Sequence, residues 1–264
     1  MLIAHLSDPH VCAPGTLYQG VVDSNAMLKE AVRHVCRLSP APDLVLISGD
    51  LTEHGAPEEY AHVRELLSLL PQRLLAIPGN HDEREAFRAA FADHDHLPAA
   101  GPLNFSVTLG SMRMIGLDVT IPNQHHGVMS EAHAAWLDGE LAHDPERPTL
   151  VMMHQPPFAS GIGFIDDYRC HGGERLAAIV SRYPCVERVL CGHVHRAMQL
   201  RFGGTLLTIA PSTATAIALR LAKDAAPASY LEPPGLLLHH WTPERGTITH
   251  HVLIGAFPGP MPFF

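Results

Sequence analysis

The sequence predicts an α/β fold, on two observations. Short apolar runs rich in Val, Ile and Leu recur along the chain, at 2–6, 44–48, 74–77, 112–117, 150–153, 189–191 and 206–209. Their length and composition favour buried strands over helices. Between several of them lie helical patterns, and strands alternating with helices define the α/β class. Pro57-Glu58-Glu59 opens one helix, with proline in the first turn and acids at the positive end of the helix. Tyr60, Val63, Leu67 and Leu70 then fall on one face of it. A second helix begins after Ser130, a candidate N-cap, with Trp136, Leu137 and Leu141 as core contacts.

Composition bounds the function. The 264 residues are 46% hydrophobic and 17% charged, enough apolar surface for a sizeable core in one domain spanning the whole chain. The formal charge of -9 argues against stable nucleic-acid binding, which needs clustered Lys and Arg. No apolar segment reaches the roughly 20 residues that cross a bilayer. The N-terminus lacks the basic start and long apolar stretch of a signal peptide. Cys12, Cys36, Cys170, Cys185 and Cys191 are odd in number and form no C-x-x-C pair, so no disulfide framework or cysteine zinc site is expected. These features predict a reduced, cytoplasmic protein without a membrane partner. The 20 histidines, against 18 Lys plus Arg, direct attention to metal sites.

The residues just past the strand ends are the informative ones. Leu6 leads into Ser-Asp8-Pro-His10, and Ile47 into Ser-Gly49-Asp50. Ile77 leads into Pro-Gly79-Asn80-His81-Asp82, Met153 into His154, and Cys191 into Gly192-His193-Val-His195. Five strands thus deliver metal-ligand residue types at their carboxyl ends, where α/β sheets form ligand sites. Asp8, His10, Asp50, Asn80, His154, His193 and His195 mix carboxylate, amide and imidazole without thiolate. That set suits Mn, Fe, Co or Zn in five- or six-coordinate geometry. Seven ligands exceed one ion's needs. Shared between two divalent ions, with Asp50 bridging, they leave positions open for water and substrate. Such ions, about 3.5–4 Å apart, lower the pKa of a bound water and stabilise charge on phosphoryl oxygens. Two divalent cations less Asp8 and Asp50 leave a charge balanced by one hydroxide and one phosphodiester anion, which favours diesters over monoesters.

The remaining candidates surround this set. His81 is a proton or hydrogen-bond donor to the phosphate or the leaving oxygen. Asp82 either orients His81 or caps a helix starting near Glu83. His125 and His126 face the substrate or form a solvated loop pair. Tyr168, Arg169 and His171 are candidates to contact the leaving group. Asp118 reads as turn or support, for example a carboxylate orienting a ligating histidine. Cys191 reads as a small buried strand residue.

Taken together, D-x-H (Asp8, His10), GD (Asp50), GNHD (Asn80, His81, Asp82), His154 and GHxH (His193, His195) resemble the complete signature of the calcineurin-like metallophosphoesterases. The resemblance implies a four-layer αββα sandwich, two mixed sheets with helices outside. It also implies that Asp8, His10 and His195 hold one ion, and Asn80, His154 and His193 the other, with Asp50 between them. LYQGVVDSNAML, GAPEEY and PPGLLLHHW further resemble the class III cyclic nucleotide phosphodiesterases and their bacterial glycerophosphodiesterase branch. That branch implies hydrolysis of small phosphodiesters, a homo-oligomer and no separate specificity domain. Residues from about 215 to 264 read as a C-terminal extension of the sheet or an oligomer contact, with Leu236 to Leu238 in a final strand or an oligomer contact and Pro258, Pro260 and Pro262 in an extended tail. The segments 120–127 and 164–171, expected to wall the pocket, match no pattern of that branch. Phosphomonoesterase, nuclease and non-catalytic scaffold are the alternatives within the superfamily.

Overall fold

The computed structural model describes residues 1–262. The chain begins β1 (Leu2–Leu6), α1 (Ser24–Arg37), β2 (Leu44–Ile47), α2 (Pro57–Leu67), β3 (Arg73–Ala76), α3 (Arg84–Ala90), β4 (Phe105–Leu109) and β5 (Met112–Leu117). It continues β6 (Gly127–Val128), α4 (Glu131–His143), β7 (Thr149–Met153), α5 (Gly163–Asp166), β8 (Cys170–His171), α6 (Gly173–Val180) and β9 (Val186–Cys191). The last part is β10 (Met198–Phe202), β11 (Thr205–Ile209), β12 (Ala216–Ile217), β13 (Ser229–Tyr230), β14 (Gly235–Thr242) and β15 (Gly246–Leu253).

Two large mixed sheets result, in the orders β15-β14-β1-β2-β3 and β10-β11-β9-β7-β5-β4. Side chains alternate between sheet faces, and the cores reflect that alternation. Ile3, Leu44, Leu46 and Leu75 of the first sheet meet Phe105, Met114, Leu150 and Leu190 of the second. On its other face the first sheet packs Ala4, Val45 and Ile47 against Leu28 and Val32 of α1, Tyr60 and Val63 of α2, and Phe87 of α3. The second sheet packs Val151, Met153 and Val189 against Leu137 and Leu141 of α4 and Leu176 of α6. The layers are therefore helix, sheet, sheet, helix, the sandwich that the resemblance implied.

Local chemistry starts the helices as expected. Pro57 is the first residue of α2, and the Ser130 side chain accepts from His133 N at the start of α4. Three features differ from the sequence reading. Helix α2 ends at Leu67, so Leu70 reaches the core from the next turn. Helices α1 and α6 are additional, as are the edge strands β4 and β10, while α3 begins at Arg84, beside the expected start near Glu83. Leu236 to Leu238 lie in a strand that extends the sheet, as expected, but it is β14, the last but one, which pairs antiparallel with β1 and with β15. Among the described residues no helix is long and apolar enough to cross a membrane.

Leu46, 1% exposed between the two sheets, tests this packing. Leu46→Ala is expected to lower stability by about 2–5 kcal/mol in urea unfolding. Leu69→Ala, at a residue 53% exposed, should change it by less than about 0.5 kcal/mol.

Candidate metal centre

The first sheet presents Asp8 and His10 after β1, Asp50 after β2, and Asn80 and His81 after β3. The second presents His154 after β7, and His193 and His195 after β9. Parallel pairing continues past the strand ends: Asp8 N donates to Gly49 O (3.1 Å), His10 N to Asp50 O (3.0 Å) and Gly192 N to His154 O (3.0 Å). The ligand candidates therefore converge at the carboxyl ends of both sheets. Asp8, His10, Asp50, His154, His193 and His195 are all buried.

Two clusters form. Asp8, His10 and His195 offer ligand atoms within 4.8 Å of one another, and so do Asp50, His154 and His193. Asp50 Oδ2 stands 3.2 Å from His154 Nε2 and 3.7 Å from His10 Nε2, between the clusters. Asn80 Oδ1 lies 3.2 Å from His154 Nε2.

The outward ring nitrogens are held by other partners. His10 Nδ1 bonds Glu53 Oε2 (2.8 Å), His154 Nδ1 donates to Ser48 O (2.7 Å), and His195 Nδ1 donates to Thr215 O (2.9 Å). Each such contact fixes a tautomer and leaves Nε2 as a bare acceptor. His10 Nε2 and His195 Nε2 then face each other at 3.1 Å, lone pair against lone pair. His193 Nε2 is buried with no partner. A divalent cation in each cluster resolves these contacts, so the donor set fits a dinuclear divalent metal centre.

Electrostatics agree with a site built for cations. Burial alone would raise the Asp8 carboxyl, yet the His195 and His154 imidazoles draw it down to about 2. Burial likewise opposes a charge on His154, but Asp50 and Asp8 outweigh it and raise its pKa to about 9, so a cation at Nε2 would take the place of a proton there. Burial lowers His193 to about 3 and also lowers His10, against the pull of Glu53.

The outlying candidates divide. His81 donates from its backbone to Asp50 Oδ1 (2.8 Å), and its Nδ1 bonds Glu53 O (2.9 Å). Burial opposes a charge on it, while Asp50 and Glu53 prevail and raise its pKa. His125 Nδ1 accepts from Asn80 Nδ2 (3.2 Å), which turns Asn80 Oδ1 toward His154. His125 and Tyr168, with rings 5.2 Å apart, line a cavity of about 390 Å³ beside the clusters. His126 and His171 do not line that cavity. Their rings meet each other at 5.0 Å, on the side of the β6–β8 ladder. Arg169 likewise stays outside it and donates to Asp166 O (2.7 Å).

Two expectations are corrected. Asp82 neither bonds the His81 ring nor caps α3, whose N-cap is Glu83. Its carboxylate accepts from Leu51 N (3.0 Å), Gly79 N (2.9 Å), Thr52 Oγ1 (3.1 Å) and Tyr60 OH (2.9 Å), bracing the two ligand loops against each other. Burial and the Asp50 charge push it up to about 6. Asp118 supports no histidine and instead takes the turn role that was the other expectation, accepting from Thr120 N (3.2 Å). It accepts from Arg84 Nε (2.6 Å), Leu103 N (2.9 Å) and Thr120 Oγ1 (2.5 Å). Cys191 is a buried strand residue, as expected.

Sequence reasoning missed Glu53, Ser48 and Thr215 behind the imidazoles, and Tyr18, stacked on His10 at 4.8 Å. It also missed Ile217 and the 227–229 segment of the cavity wall. Glu53, three residues beyond Asp50 in a ligand loop, carried the one available signal.

A four-layer sandwich with this ligand set where both sheets end is the architecture of a metal-dependent phosphoesterase. The family model for calcineurin-like phosphoesterases matches residues 1–197, and the chain belongs to that family. It is 36% identical over 265 residues to the probable glycerophosphodiester phosphodiesterase GpdQ of Arcobacter nitrofigilis, covering 100% of this chain and 97% of that one. It is 31% identical over 172 residues to the 3′,5′-cyclic adenosine monophosphate phosphodiesterase CpdA of Escherichia coli K12, covering 65% of this chain and 61% of that one. A dimetal phosphatase from Danio rerio shares the fold, with a TM-score of 0.64 at 13% identity over 97% of this chain and 99% of that one.

The glycines of the ligand loops give a test. A Cβ on Gly79 would lie 2.1 Å from Asp50 Oδ1 and 2.3 Å from Asp50 N, whereas one on Gly139 in α4 meets nothing. Gly79→Ala is expected to displace Asp50 and lower the bound metal per chain by elemental analysis. Gly139→Ala should keep full metal and gain about 0.5–1 kcal/mol of stability.

Proposed function

We propose that this protein hydrolyses small phosphodiesters, of the glycerophosphodiester or cyclic nucleotide type, at a centre of two divalent ions. The observation that carries the reading is the convergence of bare, buried imidazole nitrogens on Asp8 and Asp50. Asp8, His10 and His195 would hold one ion and Asn80, His154 and His193 the other, with Asp50 available to both. When bound, such a pair activates water and offsets charge on the phosphoryl oxygens.

The chain's own residues bind and orient. His81, its Nδ1 held at Glu53 O, turns Nε2 to the cavity and donates to the phosphate or leaving oxygen. Asn80, fixed by His125, keeps its oxygen on the ion side. Tyr168 and His125 flank the departing alcohol. Among the described residues lining the cavity none is Lys or Arg. A singly charged diester therefore fits better than a monoester dianion, whose second charge would meet no fixed cation. Relatives named for glycerophosphodiesters and for cyclic AMP support the diester class.

Self-association and a reducing compartment complete the reading. Leu219, Leu221, Tyr230 and Leu231 are 51–68% exposed around the β12–β13 hairpin, which supports a homo-oligomer. Five free cysteines support a reducing compartment.

The test is to strip the protein of metal, reload it with Mn, Zn or Co, and compare bis(p-nitrophenyl) phosphate with p-nitrophenyl phosphate. Metal-restored activity that favours the diester is expected. Preference for the monoester would make the protein a phosphatase, and inactivity at full metal occupancy would overturn the enzyme reading. His81→Ala is expected to retain its metals and lower kcat by about 10²–10⁴-fold; an unchanged kcat removes His81 from the reaction.

A further inference from the structure

Two histidines stand in the aliphatic layer between the sheets. His5 of β1 shares a face with Ile3, and His239 of β14 shares one with Trp241, both of which belong to the inter-sheet core. His5 and His239 are each 0% exposed. Rings so placed are costly unless their nitrogens are bonded. All four nitrogens are.

The bonds form one line running to Asp8. Its ionised Oδ2 has no proton to give, so the Ser7 hydroxyl donates to it at 2.5 Å. Ser7 Oγ, its proton used, accepts from Ser48 Oγ at 2.7 Å. Ser48 Oγ in turn accepts from His5 Nε2 at 2.8 Å. Neutral His5 then offers a bare Nδ1 to His239 Nε2 at 3.2 Å. His239 Nδ1 accepts from Thr249 Oγ1 at 2.9 Å, across the β14–β15 pair in which these two residues are partners. Every proton is fixed by the carboxylate at the far end, and every donor points the same way. Burial keeps both rings neutral, pushing His5 down to about 3 and His239 well below its ordinary value.

We propose that His5 and His239 are positioning residues of the metal centre, acting through Ser48 and Ser7 to hold Asp8 Oδ2 so that Oδ1, which shares the His193 N–H (3.1 Å, against 3.0 Å to Oδ2), keeps its remaining lone pair toward the ion. The proposal rests on the reading of Asp8 as a ligand. Asp8 Oδ1 is the oxygen that faces His195 Nε2, at 3.3 Å. Aligned hydrogen bonds polarise one another, so the line holds the carboxylate orientation more firmly than Ser7 alone. Ser48 couples both clusters, because its backbone oxygen also fixes His154.

The tautomers test this directly on the unsubstituted, zinc-loaded protein labelled with ¹⁵N-histidine. Two-bond ¹⁵N–¹H spectra, assigned with His5→Gln and His239→Gln, are expected to show both rings neutral with the proton on Nε2. A cationic His5, or a proton on its Nδ1, breaks the line and overturns the proposal. Manganese titration supplies the functional readout. His5→Leu is expected to bind its weaker ion about 10–100-fold less tightly. His5→Gln, whose amide N–H stands in for Nε2–H, should recover most of that loss, which a simple packing defect would not allow. Wild-type affinity in a folded His5→Leu protein, or equal losses in both variants, overturns the proposal. Asp8→Asn distinguishes the line from the ligand it serves: undiminished manganese affinity there removes the ligand reading itself, whatever the tautomers.

Discussion

At Asp8, His10, Asp50, His193 and His195 the backbone is left-handed, with φ of 50°, 45°, 51°, 69° and 55°. For residues bearing a Cβ this conformation costs roughly 1–2 kcal/mol each, and only surrounding structure can maintain it. Here the surroundings are the strand ends. Asp8 and His10 stay hydrogen-bonded to Gly49 O and Asp50 O beyond the last paired residues of β1 and β2. The strands themselves are gripped on both faces, by helices outside and by the opposite sheet inside. The layers thus act as a vice, and the strained turns it holds aim the ligand side chains at one another.

Orientation alone would not make a cation site, because a rotated imidazole presents either nitrogen. Glu53, Ser48 and Thr215 settle which one by engaging the outward Nδ1 of His10, His154 and His195. Two of these three partners are backbone carbonyls, so the tautomers of His154 and His195 depend on main-chain placement. Asp82 joins the loops after β2 and β3 from behind. Its contacts explain how loops from adjacent strands keep a common geometry.

Much of the centre was legible because each ligand candidate lies within four residues of an apolar run, so strand and ligand are read in one window. The fold class was legible for the same reason. What failed to show had no local mark. The strands β14 and β15 complete the first sheet from the far end of the chain, and their pairing with β1 depends on contacts more than two hundred residues apart. His5 sits inside an apolar run and resembles an interruption of it. Asp82 and Asp118 carry the same mark as the ligands, an acid at the end of a strand, but they neutralise loop amides, hydroxyls and Arg84. The cavity wall draws on Tyr18, Ile217 and Ala228, residues of ordinary type whose meeting is purely tertiary.

That none of the described residues lining the cavity is Lys or Arg bears on how a substrate arrives. In many anion-binding enzymes fixed cations guide the ligand in from a distance. Here the chain's formal charge is -9, and attraction would come from cations held where the ligands gather at the floor of the cavity. An approaching phosphodiester is repelled first and held only once inside. Salt screens beyond a Debye length of about 10 Å at 0.1 M, so it weakens the outer repulsion more than the inner grip. Encounter should quicken with ionic strength, the reverse of an electrostatically steered enzyme.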